Sequence, residues 1–193
     1  MCKQYIKEKY NKPGNVFLGL VHRLDRPTGG VIVFARNSKS AKRLSEQIQN
    51  GTLKKTYIAI VEGEPRKRLA HLTNYLKKDE KKNKVFICPE SEDGAKRADL
   101  EYTVLDTVND LSLLQVKLFT GRSHQIRVQL STIGNPIASD VKYGAKERGT
   151  KKLSLWAYKL EFEHPTKGEK MTFISLPNEK DDPWKYFNLN LLD

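Results

Sequence analysis

Short apolar runs with a two-residue period predict that much of this chain forms β-strands. In the run 54–62, the odd-numbered and even-numbered side chains are both apolar from Tyr57 to Val61. A strand that is apolar on both faces is typical of the buried part of a sheet. The same kind of analysis predicts further strands at residues 16–21, 31–35, 69–76, 85–88, 97–108, 111–118, 153–162 and 171–176.

Three helices are predicted from apolar spacing and from capping residues. The first covers residues 3–10, the second runs from a cap at Asn37 or Ser38 to about Asn50, and the third starts at Ser123 and ends at Gly134. The residues expected to face inward are Ala41, Leu44 and Ile48 in the second helix and Ile126, Leu130 and Ile133 in the third. Few helices among strands joined by hairpins predict an α+β fold with a mixed, mainly antiparallel sheet.

A carboxylate between two arginines lies at the glycine-rich turn between the first two apolar runs. Asp25 follows Arg23 and precedes Arg26, and Gly29-Gly30 ends the turn. Loops between buried strands are places where a rigid scaffold can aim a side chain. Neighbouring guanidinium groups favour the ionised carboxylate, which could then serve as a nucleophile or a base. The alternative is a structural aspartate that caps the turn or pairs with an arginine.

Three ordered segments of the chain resemble the motifs of the RluA family of pseudouridine synthases. Residues 22–30 are similar to its H-R-L-D-x-x-T-S-G motif, residues 54–63 to its K-x-Y-x-A-x-V-x-G strand, and residues 120–127 to its T-G-R-x-H-Q-x-R segment. Gly134-Asn135-Pro136-Ile137 and Asp140-x-x-Tyr143-Gly144 follow in family order. The resemblance spans roughly residues 14–177 and implies a bent central sheet with flanking helices and a catalytic cleft across its middle.

The resemblance implies an isomerase that converts uridine to pseudouridine in ribosomal or transfer RNA. It assigns three catalytic residues, which are Asp25, Tyr57 and Arg127. Asp25 would act as nucleophile or base, and the point of attack, on the sugar or on the uracil, stays open. Tyr57 would be a platform for the uracil, with a hydroxyl able to donate a hydrogen bond. We expect a bidentate contact from Arg127 to fix and charge Asp25.

The same resemblance suggests RNA contacts by Arg23, Arg122 and His124. Arg23 matches a position that can enter the base stack vacated by a flipped nucleotide, although it could equally brace the loop. Arg122 and His124 lie at a predicted helix start, where free backbone N–H groups also favour phosphate. We expect His22 to be structural and Gln125 to order its loop.

The chain departs from the family pattern at its N-terminus and at three internal positions. Members usually carry an earlier strand, and some an S4 RNA-binding domain, before the aspartate motif. We expect residues 1–193 to be a single catalytic domain without S4, either part of a longer chain or built without that strand. Gly29 stands where the motif has Ser, Gln129 where His is common, and Ser139 where Gly is common.

Composition points to a polyanionic partner. Lys and Arg outnumber Asp and Glu 35 to 23, which gives a net charge of +12 and a pI near 9.6. This surplus favours RNA over other partners, because no apolar run approaches a membrane span or a signal peptide. Cys2 and Cys88 form no paired motif and fit a reducing cytoplasm. We expect no metal, no cofactor, no membrane association and a monomer.

Two other functional classes remain compatible with the sequence. One is a non-catalytic RNA-binding protein that retains the synthase fold. The other is a glycoside or nucleoside hydrolase, which would ordinarily place two carboxylates on either side of the bond. Glu62 and Glu64 lie near the Tyr57 strand, but they match no such pair with Asp25. Mass-neutral conversion of RNA would separate isomerisation from hydrolysis.

Overall fold

Three α-helices and ten strands make up the regular structure of residues 1–148 and 152–192, which the computed structural model describes. The helices are α1 (Cys2–Lys9), α2 (Ser38–Gln49) and α3 (Gln125–Thr132). The strands are β1 (Gly19–Leu20), β2 (Gly29–Gly30), β3 (Phe34–Ala35), β4 (Lys54–Glu62), β5 (Leu69–Asp79), β6 (Lys84–Cys88), β7 (Lys96–Val108), β8 (Leu111–Leu118), β9 (Leu155–Glu163) and β10 (Lys170–Ile174).

One large sheet carries the fold, in the order β10-β9-β4-β8-β7-β5-β6. Each neighbouring pair in this path is antiparallel. The short strand β2 adds a parallel pairing to β9. The predicted α+β fold with a mixed, mainly antiparallel sheet is confirmed.

Strand β4 is buried on both faces, as its pattern predicts. Its Tyr57, Ala59 and Val61 belong to the apolar cluster that also holds Ile126 of α3. Ile58 and Ile60 belong to a second cluster with Trp184, Phe187 and Leu189. A central strand between two apolar layers is held firmly, so the side chains at its edge have a rigid support.

Two glycines bring the loop after Asp25 directly onto β9. A Cβ at Gly29 would lie 2.2 Å from the ring of Trp156, so the residue that replaces the family's Ser leaves room for this indole. Gly30 has φ of +116°, and a Cβ there would lie 2.2 Å from the carbonyl oxygen of Ala157. Only glycine fits such a conformation at such a distance.

The predicted strands on either side of the Asp25 loop are much shorter than expected. Only Gly19–Leu20 and Phe34–Ala35 pair with each other. Several apolar residues of the two runs are instead partly buried against α2 and the β9–β10 hairpin, as Val21, Val31 and Val33 are, whereas Phe17 and Leu20 are exposed. Their apolar character thus reflects packing against side chains, which does not require strand pairing.

The three predicted helices are present, and one residue that was expected to face inward does not. Asn37 caps α2, because its Oδ1 accepts a hydrogen bond of 2.8 Å from the Ser40 amide. Leu44, Ile126 and Leu130 are buried as expected. The prediction that Ile133 faces inward was wrong: α3 ends at Thr132, and Ile133 is 36% exposed. No helix in residues 1–148 or 152–192 has the length and apolar character needed to span a membrane.

Candidate active site

A cleft of about 810 Å³ opens between the Asp25 loop (residues 21–28), β4 and the start of α3. Each of the six site residues predicted from the sequence lines it: Asp25, Tyr57, Arg127, Arg23, Arg122 and His124. The three motifs are separated by up to a hundred residues in the chain, and the fold brings them to one place. The predicted cleft across the sheet is therefore present in the structure.

Asp25 lies in a turn whose backbone holds it in place. The Thr28 amide donates a hydrogen bond of 2.8 Å to the Asp25 carbonyl, and the carboxylate keeps 26% of its surface exposed. Its ion-pair partner is Arg127, with Nη1 at 3.6 Å from Oδ2. Arg23 and Arg26 are exposed, and within the described part of the chain neither forms an ion pair with Asp25.

The bidentate partner of Arg127 is Asp140, so the expected bidentate contact with Asp25 was wrong. Nε and Nη2 of Arg127 each lie 2.7 Å from an oxygen of Asp140. Both side chains are almost fully buried, with 8% and 2% exposure. A guanidinium presents two parallel N–H groups along one edge, and Asp140 occupies that edge. The remaining nitrogen, Nη1, is left for Asp25.

The ring of Tyr143 supports both Arg127 and His124. The Arg127 guanidinium carbon lies 4.9 Å from the ring centroid. The Tyr143 hydroxyl accepts a hydrogen bond from the Val85 amide at 2.8 Å and bonds to Nδ1 of His124 at 2.7 Å. Burial lowers the pKa of His124 from 6.5; the charge of Asp25 opposes this effect and that of Arg127 adds to it, with a net decrease. His124 is therefore neutral near pH 7, with Nε2 left for a ligand.

Tyr57 presents its ring to the cleft from the buried centre of β4. The residue is only 8% exposed. Burial, with Asp25 nearby, raises the pKa of its phenol to about 12. The phenol is therefore protonated near neutral pH, and it can donate a hydrogen bond but cannot accept a proton as a phenolate.

Gln125 orders the turn before α3, as predicted. Its Oε1 accepts hydrogen bonds from the Thr120 hydroxyl and the Arg122 amide, and its Nε2 donates to the Asp99 carbonyl at 3.0 Å. Arg122 itself is exposed and donates from Nε to the Arg97 carbonyl at 2.9 Å. Arg122 thus lines the cleft with its Nε already bound to the main chain.

His22 is held by the loop in a way that fixes its tautomer. The Val33 amide donates a hydrogen bond of 3.2 Å to Nε2, so the neutral ring carries its proton on Nδ1. Burial, with Lys55 nearby, lowers the pKa of His22 to about 4. A neutral ring that accepts a main-chain hydrogen bond fits the structural role expected for this residue.

The charge of the cleft is strongly one-sided. Asp25 is the one carboxylate among the lining residues that the structure describes. Six cationic residues share the lining with it, namely Arg23, Arg26, Lys55, Lys78, Arg122 and Arg127. No cluster of three or more potential metal ligands occurs in residues 1–148 and 152–192. A cleft with this excess of positive charge attracts a polyanion.

Sequence reasoning missed the roles of Asp140 and Tyr143. Both belong to the segment Asp140-x-x-Tyr143-Gly144, whose order in the chain was noted without a function. Ser139, just before them, adopts φ of +68°, which explains why glycine is common at this position. The sequence signal for this segment was the order Asp140-x-x-Tyr143-Gly144 itself, which does not show that Asp140 faces Arg127.

Comparison with known proteins agrees with this geometry. A family model described as RNA pseudouridylate synthase matches residues 1–132. Ribosomal large subunit pseudouridine synthase C of Haemophilus influenzae is 36% identical over 169 residues, which are 84% of this chain and 52% of that protein. Ribosomal large subunit pseudouridine synthase D of Borreliella burgdorferi is 36% identical over 147 residues, or 75% of this chain and 44% of that protein.

A solved structure has the same fold. Human RNA pseudouridylate synthase domain containing 4 superposes with a TM-score of 0.76 and 23% identity, over 91% of this chain and 77% of that one. The chain spans about half the length of the curated relatives named above. The resemblance seen in the motifs is confirmed: the chain belongs to the RNA pseudouridylate synthase family.

Proposed function

We propose that this chain isomerises uridine to pseudouridine in RNA, with Asp25 as the reacting carboxylate. The observation that carries the proposal is the composition of the cleft, which has one carboxylate, one tyrosine ring and six cationic residues. Isomerisation breaks the N1 glycosidic bond of uridine and rejoins the same ring through C5. It therefore needs one well-placed carboxylate, a surface for the loosened uracil and a means of holding RNA.

Arg127 holds the Asp25 carboxylate in position. The guanidinium is fixed by Asp140 on one edge and by the Tyr143 ring, so its free Nη1 has little freedom. Nη1 lies 3.6 Å from the carboxylate and orients Asp25 for its role as nucleophile or base. We assign Arg127 as the residue that orients Asp25.

Tyr57 offers the uracil a flat surface and a proton donor. Its protonated phenol lies near Asp25, as the effect of that carboxylate on its pKa indicates. The ring can stack on the uracil while the hydroxyl donates to a carbonyl or to a developing negative charge. A core-anchored ring holds this geometry better than a loop side chain would.

The target nucleotide must leave its stack to reach Asp25, and the exposed Arg23 and Arg122 and the partly buried His124 suit that step. Arg23 has a free planar guanidinium that can stack in the gap or contact phosphate. Arg122 can contact the backbone by charge. His124 can do so as a neutral hydrogen-bond donor, because its pKa is lowered.

We propose ribosomal RNA as the substrate class, because the relatives named above act on the ribosomal large subunit. Transfer RNA is the second substrate class that the basic surface would accept.

The isomerisation gains and loses no atoms overall and needs no redox cofactor. We propose that the protein acts as a monomer in the cytoplasm, a reducing compartment that suits the unpaired Cys2 and Cys88.

Asp25→Asn tests the proposal. The change keeps the size of the side chain and removes its charge and nucleophilic oxygen, so turnover falls by about four orders of magnitude or more. The assay is tritium release from C5-labelled uridine in ribosomal RNA, because that hydrogen is lost when C5 bonds to the sugar. RNA affinity is retained, since the variant removes a negative charge from a basic cleft.

The matched control is Glu64→Gln, which neutralises an acid that pairs with Arg68 outside the cleft lining. It should release tritium at the wild-type rate. Wild-type release from Asp25→Asn would overturn the assignment of Asp25. Release of free uracil, with a loss of RNA mass, would instead establish a hydrolase. That outcome is not expected, because Glu62 is bound to Arg148 and the described residues of the cleft lining include no second carboxylate.

A further inference from the structure

Lys55 places a second cation deep in the cleft, on the same strand as Tyr57. The two residues are separated by one position on β4, so their side chains lie on the same face, roughly 7 Å apart along the strand. Both line the cleft. The Lys55 ammonium reaches under the turn before α3, where its Nζ would lie 3.0 Å from a Cβ at Gly121. The absence of a side chain at Gly121 leaves room for it.

This ammonium has no counter-charge in the part of the chain that the structure describes. No carboxylate or hydrogen-bond acceptor in residues 1–148 and 152–192 pairs with its Nζ. Burial lowers the pKa of Lys55, and no acid offsets that effect. A partly buried cation without a partner destabilises the folded state. A loss of stability from an unpaired charge at a cleft is typical of a group whose partner is supplied by a bound ligand.

We propose that Lys55 binds a backbone phosphate of the RNA strand whose uridine enters the cleft. This inference rests on the proposed function. An ammonium is a compact point charge that suits a single phosphate oxygen, and phosphate is the anion that RNA supplies at every nucleotide. Its place beside Tyr57 means that the contact forms only when the strand is drawn into the cleft.

The surface arginines differ from Lys55 in this respect. Arg23 and Arg122 are exposed and can meet RNA in many registers. Lys55 lies behind them and can meet only the phosphate of a nucleotide that has moved inward. It therefore distinguishes a docked strand from one that is merely bound to the basic surface.

The test is a binding measurement with uncharged linkages in the RNA. A uridine-containing oligonucleotide that wild-type protein binds is prepared with single methylphosphonate substitutions along its backbone. Dissociation constants are measured by fluorescence anisotropy for wild type, Lys55→Met and Lys54→Met. Lys54 is the matched control, because it is the adjacent, exposed lysine of β4, it lies outside the cleft lining, and its loss changes the net charge equally.

We expect Lys55→Met to bind the unmodified RNA about tenfold more weakly. One neutral linkage should weaken wild type and Lys54→Met by a similar factor and leave Lys55→Met unaffected, as a double-mutant cycle requires for a direct contact. Lys55→Met should also unfold at the same temperature as wild type or higher. Lys55→Gln serves as a second neutral variant with the same expectations should the methionine variant misfold.

Wild-type affinity in both neutral Lys55 variants would overturn the proposal. Equal sensitivity of wild type and Lys55→Met to every neutral linkage would overturn it as well, and would assign Lys55 to the uracil or to another group. The dissociation constants report RNA binding alone and do not depend on turnover. A failure of the proposed isomerisation, seen as absent tritium release from wild type, is therefore distinguishable from a failure of the Lys55 contact.

Discussion

The buried neutral ring of His22 makes the stability of the protein depend on pH. The unfolded chain takes up a proton on this residue below about 6.5, whereas burial, with Lys55 nearby, lowers the pKa of the folded protein's His22 to about 4. The unfolded state binds more protons between these values, so the free energy of unfolding decreases as the pH falls through this window. After a discount for the partial solvent contact of the ring, the loss is about 2 kcal/mol.

Urea unfolding at several pH values between neutrality and pH 4 measures this dependence. His22→Asn should flatten the curve in that window, at the cost of a lower stability at neutral pH. His71→Asn removes an exposed histidine from β5 and is the control, which should leave the His22 contribution in place. A curve for His22→Asn that parallels wild type would show that the ring is protonated in the folded state.

At the scale of elements, the Asp140–Arg127 pair ties α3 to the segment before the 3-10 helix Val141–Tyr143. Asp140→Asn removes the charge that holds the guanidinium by two hydrogen bonds along one edge. Breaking a buried pair leaves an uncompensated charge, so we expect a loss of about 3 kcal/mol in stability. The freed Arg127 can also turn toward Asp25 and misalign it, which lowers kcat.

A positioning role predicts a particular pattern for Asp140→Asn. The turnover number should fall while the Kd for RNA changes little, and Asp140→Glu should restore part of the activity by supplying a carboxylate again. The control is Asp93→Asn, an exposed acid in the turn between β6 and β7. An unchanged kcat together with a raised Kd for RNA would instead place Asp140 in binding.

The elements were predictable where their signal is local. Strand β4 carries its burial pattern within nine residues, and the Asn37 cap lies next to the helix that it starts. The partner of Arg127 could not be predicted from the sequence. An acid that pairs with a guanidinium across the fold has the same local sequence as an acid that caps a turn. Two acids compete for Arg127, and only the packing of α3 against the later segment decides that Asp140 takes the bidentate edge.

At the scale of the whole molecule, the net charge of +12 predicts a steep dependence of RNA affinity on salt. Binding releases counterions from RNA, so the logarithm of the association constant falls linearly with the logarithm of salt concentration. Arg122→Ala should weaken binding by a similar factor for many RNAs and reduce the slope by about one. Anisotropy titrations over a range of potassium chloride concentrations measure both quantities.

Glu101→Gln is the control for the salt experiment, because it changes the net charge by one unit on β7 at a residue outside the cleft lining. It should leave the slope as in wild type. A flat dependence of affinity on salt for the wild-type protein would mean that the basic surface is not the surface that binds RNA. A change confined to a single RNA sequence in Arg122→Ala would assign Arg122 to base recognition.

Main-chain hydrogen bonds connect the Asp25 loop to the strand that carries Tyr57. The Val31 amide donates to the Ala157 carbonyl at 2.9 Å, and β9 in turn pairs with β4. Main-chain hydrogen bonds therefore set the spacing between the Asp25 carboxylate and the Tyr57 phenol. These bonds do not depend on which side chains β9 carries. Side-chain substitutions along β9 can therefore accumulate while the distance between Asp25 and Tyr57 is maintained. The two glycines of β2 are the exception, since any Cβ there would push the two chains apart.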